Sequence, residues 1–426
     1  MEKGIIIGYD ISDYACQISF YNEELGEPET YEASPESFHI PMVIGKRHNT
    51  WAIGIEAKRL EILHEGKLAT ELVKKSIARE KVILENKSYD AIMLLSRFVK
   101  MSLDKYKNIS AIVFTVPKLN EDLALVLKGV ASHIGIAKEH IYVQDYRESF
   151  SYYMLNQPKE LWQYEAALFY CDKNEVHASM LRRIVTEQRY KKTFVTVDDI
   201  AFAQKEELDI IYPLIHGEKA REEDARFKLF IEHVFDQKMV SSVYLTGEGF
   251  ENQWYPDSLK ILCNGRRAFM GNNLYSKGAC YTAYQRYNEI NNDYIYIDEN
   301  KLTESIRIRT RRGNEEEWLS LVSWGAHPFE CDNQWEIILE DTEDIELHVE
   351  SLYKGKEGIH VISLEDIPER ESYTIRLLID VMSIDSETYR ISFKDIGFGD
   401  FFPSTGYETE IIIKLGGTYG EHRSLS

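Results

Sequence analysis

Cysteine and proline are scarce in this sequence, and long apolar runs are missing from it. Only 5 cysteine and 10 proline residues occur among the 426. The cysteines are far apart, form no Cys-x-x-Cys pair and have no histidine at a metal-ligand interval, which argues against a zinc site. The start has no signal-peptide core, and no apolar stretch is long enough to cross a membrane. We therefore expect a reduced, cytoplasmic protein with no membrane partner.

Positive charge is also in short supply. The chain has 50 lysine and arginine residues against 71 aspartate and glutamate residues, so its formal net charge is -21. Such a chain repels the phosphate backbone of nucleic acids, and we expect no nucleic-acid partner. Gly-x-Ser-x-Gly, His-Glu-x-x-His and Walker patterns do not occur, so hydrolase and P-loop chemistry have no support.

Apolar and aromatic residues, by contrast, are plentiful. Hydrophobic residues make up 44% of the chain and aromatic residues 12%. This composition argues against long disorder and provides for a sizeable core. Because a chain of 426 residues is longer than the chains that usually fold around a single hydrophobic core, we expect two or three domains.

The stretch from Ile112 to Ile136 carries the clearest structural signal. Its apolar start ends at Pro117, which lacks an N–H and disfavours helix in the residue before it, so this start is predicted to be a buried strand. Asn120 can cap the next element, and apolar residues then recur at helical spacing. The stretch is therefore predicted to form a strand, a turn and a helix.

The remaining segments fall into three groups. Alternating apolar residues predict two β-rich openings, at 4–21 and 165–181, and a further strand from His39 to Lys46. From about 294 to 415 nearly every apolar segment alternates with period two, which predicts a separate antiparallel β domain. Ser88 or Asp90 is a candidate helix cap. Helical spacing is found at 67–105, 146–155, 199–215, 219–237 and 274–283.

Two halves that each begin with a β-hairpin-like opening resemble the fold of actin, sugar kinases and heat-shock chaperones. Within that superfamily the sequence most resembles the DnaK-type chaperones. The resemblance covers most of residues 4–284 and is carried by Ile40-Pro41, Trp51 to Lys58, Ile112 to Gly135, Thr246 to Gly249 and Leu274 to Ala283. The runs Leu245 to Gly247, Asn272 to Cys280 and Gly397 to Gly406 also resemble an uncharacterised bacterial family of chaperone-like proteins, which names no activity.

The resemblance implies an α/β two-lobed, actin-like ATPase fold with duplicated ribonuclease-H-like halves, followed by an all-β sandwich. Lobe I would span 1–160, and lobe II, with a reduced adenine-covering subdomain, 161–287. A β-sandwich similar to the chaperones' peptide-binding domain would span 294–416, without their hydrophobic linker or helical lid. Residues 417–426 would form a tail.

The resemblance also implies a nucleotide cleft. Asp10, Lys58 and Asp145 would be its catalytic residues if it hydrolyses ATP, and Ser12, Asp13, Gly247 and Gly249 would line it. The sequence indicates no set of metal ligands and assigns no cofactor. If the cleft binds one, the resemblance implies ATP with magnesium.

The phosphate loops depart from the family pattern. The Gly-Thr-Thr turn reads Ser12, Asp13 and Tyr14, which places a carboxylate and a ring toward the phosphates. The second loop, around Asp172 to Glu175, has lost every glycine. Each acidic side chain near a triphosphate would cost about 1 kcal/mol or more at an effective dielectric near 20.

Structural roles could equally explain the surviving polar residues. Lys58 could be a solvated helix lysine, Asp145 a helix N-cap, and Asp10 a strand-end carboxylate that binds the turn. A Gly-x-Gly pair such as Gly247 and Gly249 is common after strands.

Three functions remain open. The first is a chaperone-like scaffold with a degenerate nucleotide site that acts through protein or peptide partners. The lost glycines favour this hypothesis and argue against an enzyme. The second is an ATP-binding, slowly hydrolysing chaperone relative. The third is an actin-like assembly protein.

Overall fold

Strands alternate with helices up to about residue 292, and strands dominate after it. The computed structural model describes residues 4–414 apart from 36, 65, 173–174, 186–191, 205–216, 291, 314, 341–343, 353–357, 365–366, 368–369 and 385–387. The chain divides into two units. Unit 1 comprises Met1–Arg182 and Val197–Asn292, and unit 2 comprises Arg183–Thr196 and Asp293–Ser426. The protein is a mixed α/β chain with a β-rich C-terminal part, as the apolar periodicity predicted.

The first half of unit 1 contains eleven strands and five α-helices among its described residues. They are β1 (Ile5–Ile11), β2 (Ala15–Asn22), β3 (Glu27–Thr30), β4 (Ile40–Pro41), β5 (Ile44–Arg47), β6 (Thr50–Ile53), α1 (Gly54–Ile62), β7 (Lys67–Ala69), α2 (Leu72–Ile77), β8 (Lys81–Leu84), β9 (Lys87–Asp90), α3 (Ala91–Ser102), β10 (Ile109–Val116), α4 (Glu121–His133), β11 (Ile141–Asp145) and α5 (Tyr146–Leu155).

Five of these strands form the main path of the first sheet, in the order β11-β10-β1-β2-β3, and β4 pairs with β2. Strands β1, β2 and β3 are antiparallel neighbours, whereas β10 and β11 run parallel to β1. The parallel strands β1, β10 and β11 therefore end at the same edge of the sheet. Asp10, near the end of β1, and Asp145, the last residue of β11, both lie at this edge.

The second half of unit 1 repeats this arrangement. Five strands of its sheet have the order β16-β15-β12-β13-β14, with β12 and β13 antiparallel and β15 and β16 parallel to β12. A sixth strand, Tyr294–Tyr296, pairs with β14. Numbered by first appearance, the five strands named for each sheet read 5-4-1-2-3. The elements of this half are β12 (Glu165–Cys171), β13 (Glu175–Arg183), β14 (Thr193–Gln204), α6 (Glu218–Phe235), β15 (Val240–Thr246), α7 (Pro256–Leu262), β16 (Arg267–Met270) and α8 (Leu274–Tyr287).

Helix α8 packs unusually closely against two elements of the first half. A Cβ on Gly278 of α8 would lie less than 3.0 Å from the carbonyl oxygen of Ser149 in α5. A Cβ on Gly8 of β1 would come equally close to the backbone of Ser276 and Cys280 in α8. Both glycines are therefore required by close backbone approach.

The predicted strand, turn and helix around Ile112 are confirmed as β10 and α4. Phe114 of β10 is fully buried. The Asn120 side chain accepts a hydrogen bond of 2.9 Å from the Leu123 N–H and caps α4. Of the two candidate caps for α3, Asp90 is the one used, because its carboxylate accepts from the Ile92 N–H at 2.9 Å.

Three predictions about secondary structure are wrong. Residues 67–105 are not mainly helical, because β8 and β9 form a hairpin whose turn residues, Glu85 and Asn86, both have positive φ, as a two-residue type I′ turn requires. Residues 199–204 belong to β14 rather than to a helix, and the rest of that predicted helix lies outside the described residues. The strand predicted from His39 to Lys46 consists of the two short strands β4 and β5.

Unit 2 is built from antiparallel strands around one core. Its two four-stranded sheets have the orders β19-β18-β21-β22 and β20-β23-β24-β25, and alternating side chains from both sheets meet in that core, among them Leu347, Leu377 and Phe393. The strands are β17 (Tyr294–Tyr296), β18 (Glu304–Arg312), β19 (Glu315–Val322), β20 (Asn333–Leu339), β21 (Asp344–Ser351), β22 (Gly358–Ser363), β23 (Ile375–Ser383), β24 (Thr388–Asp395) and β25 (Glu408–Lys414).

Residues 183–196 complete unit 2 from far upstream in the chain. Thr193–Val195, the first part of β14, pair in parallel with β17. Phe194 is 1% exposed and packs with Ile297 and Leu352. Its ring meets that of Trp324 edge-on at 5.8 Å. The predicted tail, 417–426, lies outside the described residues.

Candidate functional site

The carboxylate of Asp10 is the most unusual charged group at the shared edge of the first sheet. Asp10 is 8% exposed, and its Oδ1 accepts a hydrogen bond of 2.8 Å from the Tyr146 hydroxyl. Tyr146 is the first residue of α5 and directly follows β11, so the parallel strand ends bring the two side chains together. Burial raises the pKa of Asp10 to about 7, and the hydrogen bond from Tyr146 opposes that rise.

The ring of Tyr146 stacks on the ring of Tyr275. Their centroids are 3.8 Å apart and the planes differ by 8°. Tyr275 is the second residue of α8 and is 8% exposed. Burial is the main cause that raises the pKa of both tyrosines well above its usual value, so both hydroxyls keep their protons. The stack therefore joins α5 to α8, and the Tyr146 hydroxyl connects it to Asp10.

Asp145 is the N-cap residue of helix α5, which starts at Tyr146. Its Oδ1 accepts a hydrogen bond of 2.8 Å from the Glu148 N–H, and its Oδ2 lies 3.6 Å from Nε of Arg147. Arg147 also reaches Asp199 of β14 at 3.9 Å. The N-cap interpretation of Asp145 is thus confirmed, and its carboxylate serves the start of the helix.

The turn between β1 and β2 is closed by its own side chains. The Ser12 hydroxyl donates to the Ala15 carbonyl at 3.1 Å and accepts from the N–H groups of Tyr14 and Ala15. Asp13 is engaged away from the expected phosphate position, because its Oδ1 accepts from the N–H groups of Val73 and Lys74 at 2.9 and 3.2 Å and so caps α2. Tyr14 is 82% exposed.

The pair Gly247 and Gly249 packs against Cys171, the last residue of β12. A Cβ on Gly247, whose φ is +99°, would lie less than 3.0 Å from the Cys171 carbonyl oxygen. A Cβ on Gly249 would lie equally close to the Cys171 sulfur. Burial raises the pKa of the Cys171 thiol to about 12, so it stays neutral. Both glycines are explained by this contact, and their Cβ positions face protein atoms.

The described ends of the loop expected to hold the second set of phosphates, Asp172 and Glu175, bind each other between β12 and β13. The Asp172 N–H donates to the Glu175 carbonyl at 3.1 Å, and the Asp172 carboxylate accepts from the Glu175 N–H at 3.0 Å. Lys173 and Asn174, the other residues of this predicted loop, lie outside the described residues.

Lys58 does not join the other predicted catalytic residues through any direct contact. It is exposed on α1. Among the described residues, no hydrogen bond or ion pair links its ammonium group to Asp10 or Asp145. The described part of the chain also holds no group of three or more His, Cys, Asp or Glu side chains suited to a metal ion.

Sequence reasoning missed the two residues that define this site, Tyr146 and Tyr275. Tyr146 was predicted only as the first residue of a helix, 146–155. Tyr275 lies in two runs, Asn272 to Cys280 and Leu274 to Ala283, that carry family resemblances without giving the tyrosine a role. Neither position carries a residue type that chemistry alone would single out.

Comparison with known proteins gives families without an assigned activity. No helix in the described ranges is long and apolar enough to cross a membrane, and no curated protein matches the chain. Residues 301–415 match a domain of unknown function (DUF8552). Residues 27–299 match the model described as "Family of unknown function (DUF5716) C-terminal". Since that match covers more than half of the chain, the protein belongs to this family.

Proposed function

We propose that the protein is a chaperone-like scaffold, built on a two-lobed actin-like fold with a β-sandwich, that binds other proteins and has lost the use of its nucleotide cleft. Support for this fold comes from the two sheets of the α/β part, in each of which five strands have the order 5-4-1-2-3. Support for the β-sandwich comes from the two four-stranded sheets of unit 2 and their common core.

The observation that carries the proposal is the stack of Tyr146 on Tyr275 with the Tyr146 hydroxyl bound to Asp10. In the family that the sequence resembles, the end of the first strand faces nucleotide phosphates and their metal ion. Here that carboxylate is buried and accepts a hydrogen bond from Tyr146, whose ring is stacked on Tyr275. A polyphosphate or its metal ion that took Oδ1 of Asp10 as a partner would have to replace this hydrogen bond.

The remaining residues around the cleft do not fit a nucleotide either. Neither phosphate turn contains a glycine. The Asp13 carboxylate accepts a hydrogen bond from the first turn of α2. Atoms of Cys171 occupy the space beside Gly247 and Gly249. A polyphosphate would also meet the carboxylates of Asp172 and Glu175, which accept hydrogen bonds within the protein, whereas backbone N–H groups are what phosphates need. We therefore derive no hydrolytic step for this cleft.

Titration with Mg-ATP and Mg-ADP tests this proposal. A ligand with a micromolar dissociation constant would, at millimolar concentration, stabilise the protein by about 4 kcal/mol and raise its melting temperature by several degrees. We expect no heat in calorimetry and a shift of less than about 1 °C in thermal unfolding.

Micromolar binding by the wild type would contradict the proposal. Its loss in an Asp10→Asn variant, with retention in a variant of the exposed Tyr164 (Tyr164→Ala), would then place the nucleotide in the cleft and favour the ATP-binding alternative.

A further inference from the structure

A loop of unit 2 displays an aromatic side chain, that of Phe401, which its own fold leaves almost wholly uncovered. The loop comprises residues 396–407 and joins β24 to β25; we call it the Phe401 loop. The Phe401 side chain is 91% exposed and that of Phe402 is 40% exposed. Asp400, immediately before them, is also exposed.

A single buried carboxylate fastens both ends of the Phe401 loop. Asp395, the last residue of β24, is 1% exposed. Its Oδ1 accepts a hydrogen bond from the Gly397 N–H at 2.9 Å, and its Oδ2 accepts from the Thr405 N–H at 2.6 Å. Burial would raise the pKa of Asp395, but the hydrogen bonds from Thr405 and Gly397 hold it below its usual value. Asp395 therefore stays ionised and keeps the loop closed.

Further contacts fix the conformation between these ends. The Phe398 N–H donates to the Phe402 carbonyl at 2.7 Å, and Arg370 donates to the Pro403 carbonyl at 2.8 Å. Gly397 has a φ of +62°, and a Cβ there would lie 2.6 Å from the Phe402 carbonyl oxygen. The backbone that presents Phe401 is thus held by interactions on both sides of the ring.

This combination of rigidity and exposure is what a binding loop needs. An exposed phenylalanine adds nothing to the core of unit 2, whereas an aromatic side chain that enters a partner's pocket is among the strongest contributors to protein–protein affinity. A backbone that is already ordered avoids much of the entropic cost of binding.

We infer that the Phe401 loop is a docking element whose Phe401 ring enters an apolar pocket of another folded protein. The rim of that pocket carries lysine or arginine, because the exposed Asp400 immediately precedes Phe401 and the chain as a whole has a net charge of -21. The same charge disfavours an anionic membrane surface as the target. A cationic rim also distinguishes this partner from a second copy of the acidic chain.

This inference deepens the proposed scaffold role by naming a binding surface and a kind of partner. The two can fail separately. Nucleotide binding in the cleft would contradict the scaffold proposal but would not bear on the Phe401 loop. A partner that binds without contacting Phe401 would contradict the inference but would remain consistent with the scaffold role.

Site-specific crosslinking in the full chain tests the inference. The photoreactive residue p-benzoylphenylalanine replaces Phe401 in one variant and Ile412 in a matched control, because Ile412 of β25 is 59% exposed on the same unit. Both variants are irradiated in lysate of the source cells, and the captured protein is identified by mass spectrometry. That protein is then purified and titrated against the wild-type chain.

The titration supplies the decisive comparison. We expect a protein captured at position 401 and not at 412, whose affinity falls at least about tenfold with Phe401→Ala. With Asp400→Lys we expect affinity to fall and its salt dependence to weaken. Ile412→Ala should bind like the wild type. Since Phe401 is almost wholly exposed, Phe401→Ala should unfold at the wild-type temperature, which separates lost binding from lost folding.

Several outcomes would overturn the inference. They are the absence of any protein captured selectively at position 401, a captured protein that binds Phe401→Ala as tightly as the wild type, and crosslinks only between copies of this chain. Sedimentation with phosphatidylcholine or phosphatidylserine vesicles that depends on Phe401 would point to a membrane and would equally overturn it.

Discussion

Asp10 shows how one buried carboxylate can make the stability of the whole unit depend on pH. Its folded pKa of about 7 lies well above the value of about 3.9 for an unfolded aspartate. Between these values the folded state holds more protons than the unfolded state, so stability falls as pH rises. The loss amounts to something on the order of 4 kcal/mol once the pH exceeds about 7.

Replacing Asp10 by asparagine should remove this dependence. Asparagine has nearly the same shape, stays neutral and can still accept the hydrogen bond from Tyr146. We expect Asp10→Asn to match the wild type near pH 4 and to be the more stable protein at pH 8, by roughly 2–4 kcal/mol. Urea unfolding at a series of pH values measures this difference.

The control for this series is Asp104→Asn, which changes an exposed carboxylate and should unfold like the wild type at every pH. An Asp10→Asn variant whose stability difference stays constant from pH 4 to pH 8 would show that Asp10 remains ionised in the folded protein and would contradict the prediction.

At the scale of elements, the contact between α8 and α5 depends on Gly278. A methyl group at this position would collide with the Ser149 backbone, which cannot rotate away as a side chain could. Overpacking of this kind typically costs about 1–3 kcal/mol, and sometimes more. We expect Gly278→Ala to destabilise unit 1 by about 2–4 kcal/mol in urea unfolding.

Gly129→Ala is a matched control, because Gly129 also lies inside a helix, α4, but a Cβ there would meet nothing within 4 Å. Alanine is the better helix former by about 1 kcal/mol, so this variant should be neutral or more stable than the wild type. Equal effects of the two substitutions would mean that helix propensity, rather than the α5–α8 contact, decides the result.

Local signals predicted the elements that depend on local chemistry. Pro117 and Asn120 fixed the end of β10 and the start of α4, and the period-two pattern predicted the strands of unit 2. The hairpin of β8 and β9 was missed, because its turn pairs Glu85 with Asn86, and glutamate gives no signal for positive φ. The N-cap role of Asp145 could be predicted, whereas the stack of Tyr146 on Tyr275 could not, since it joins residues far apart in sequence.

At the scale of the whole molecule, the two units share strand β14. Thr193–Val195 pair with β17 of unit 2, and Phe194 fills a cluster with Ile297 and Leu352. The division of the chain by sequence pattern, near residue 293, therefore leaves out a part of unit 2 that lies about 100 residues upstream. Periodicity cannot reveal this, because it shows which residues share a face of a strand and not which other strand they pair with.

A fragment that begins at residue 293 should be incomplete for this reason. In a fragment of residues 293–415, β17 loses its neighbour and Ile297 loses the Phe194 ring. We expect amide hydrogens of residues 294–297 to exchange at least about tenfold faster in the fragment than in the full chain. Mass spectrometry of exchanged peptides measures this.

Strands β23 and β24 provide an internal control in the same experiment, because their pairing partners are all present in the fragment. Their protection shows whether the fragment is folded. Equal protection of residues 294–297 in the fragment and the full chain would mean that residues 183–196 are dispensable for unit 2.

The shared strand also bears on how such a chain can be rearranged by genetic exchange. One family match ends at residue 299 and the other begins at 301, which suggests a natural point for joining one module to another. The backbone, however, passes between the units three times, at 182/183, 196/197 and 292/293. A recombination event near residue 300 would join a new C-terminal module to the original residues 183–196. Any C-terminal module joined there must therefore accept the same upstream strand, so the two parts are expected to be inherited together.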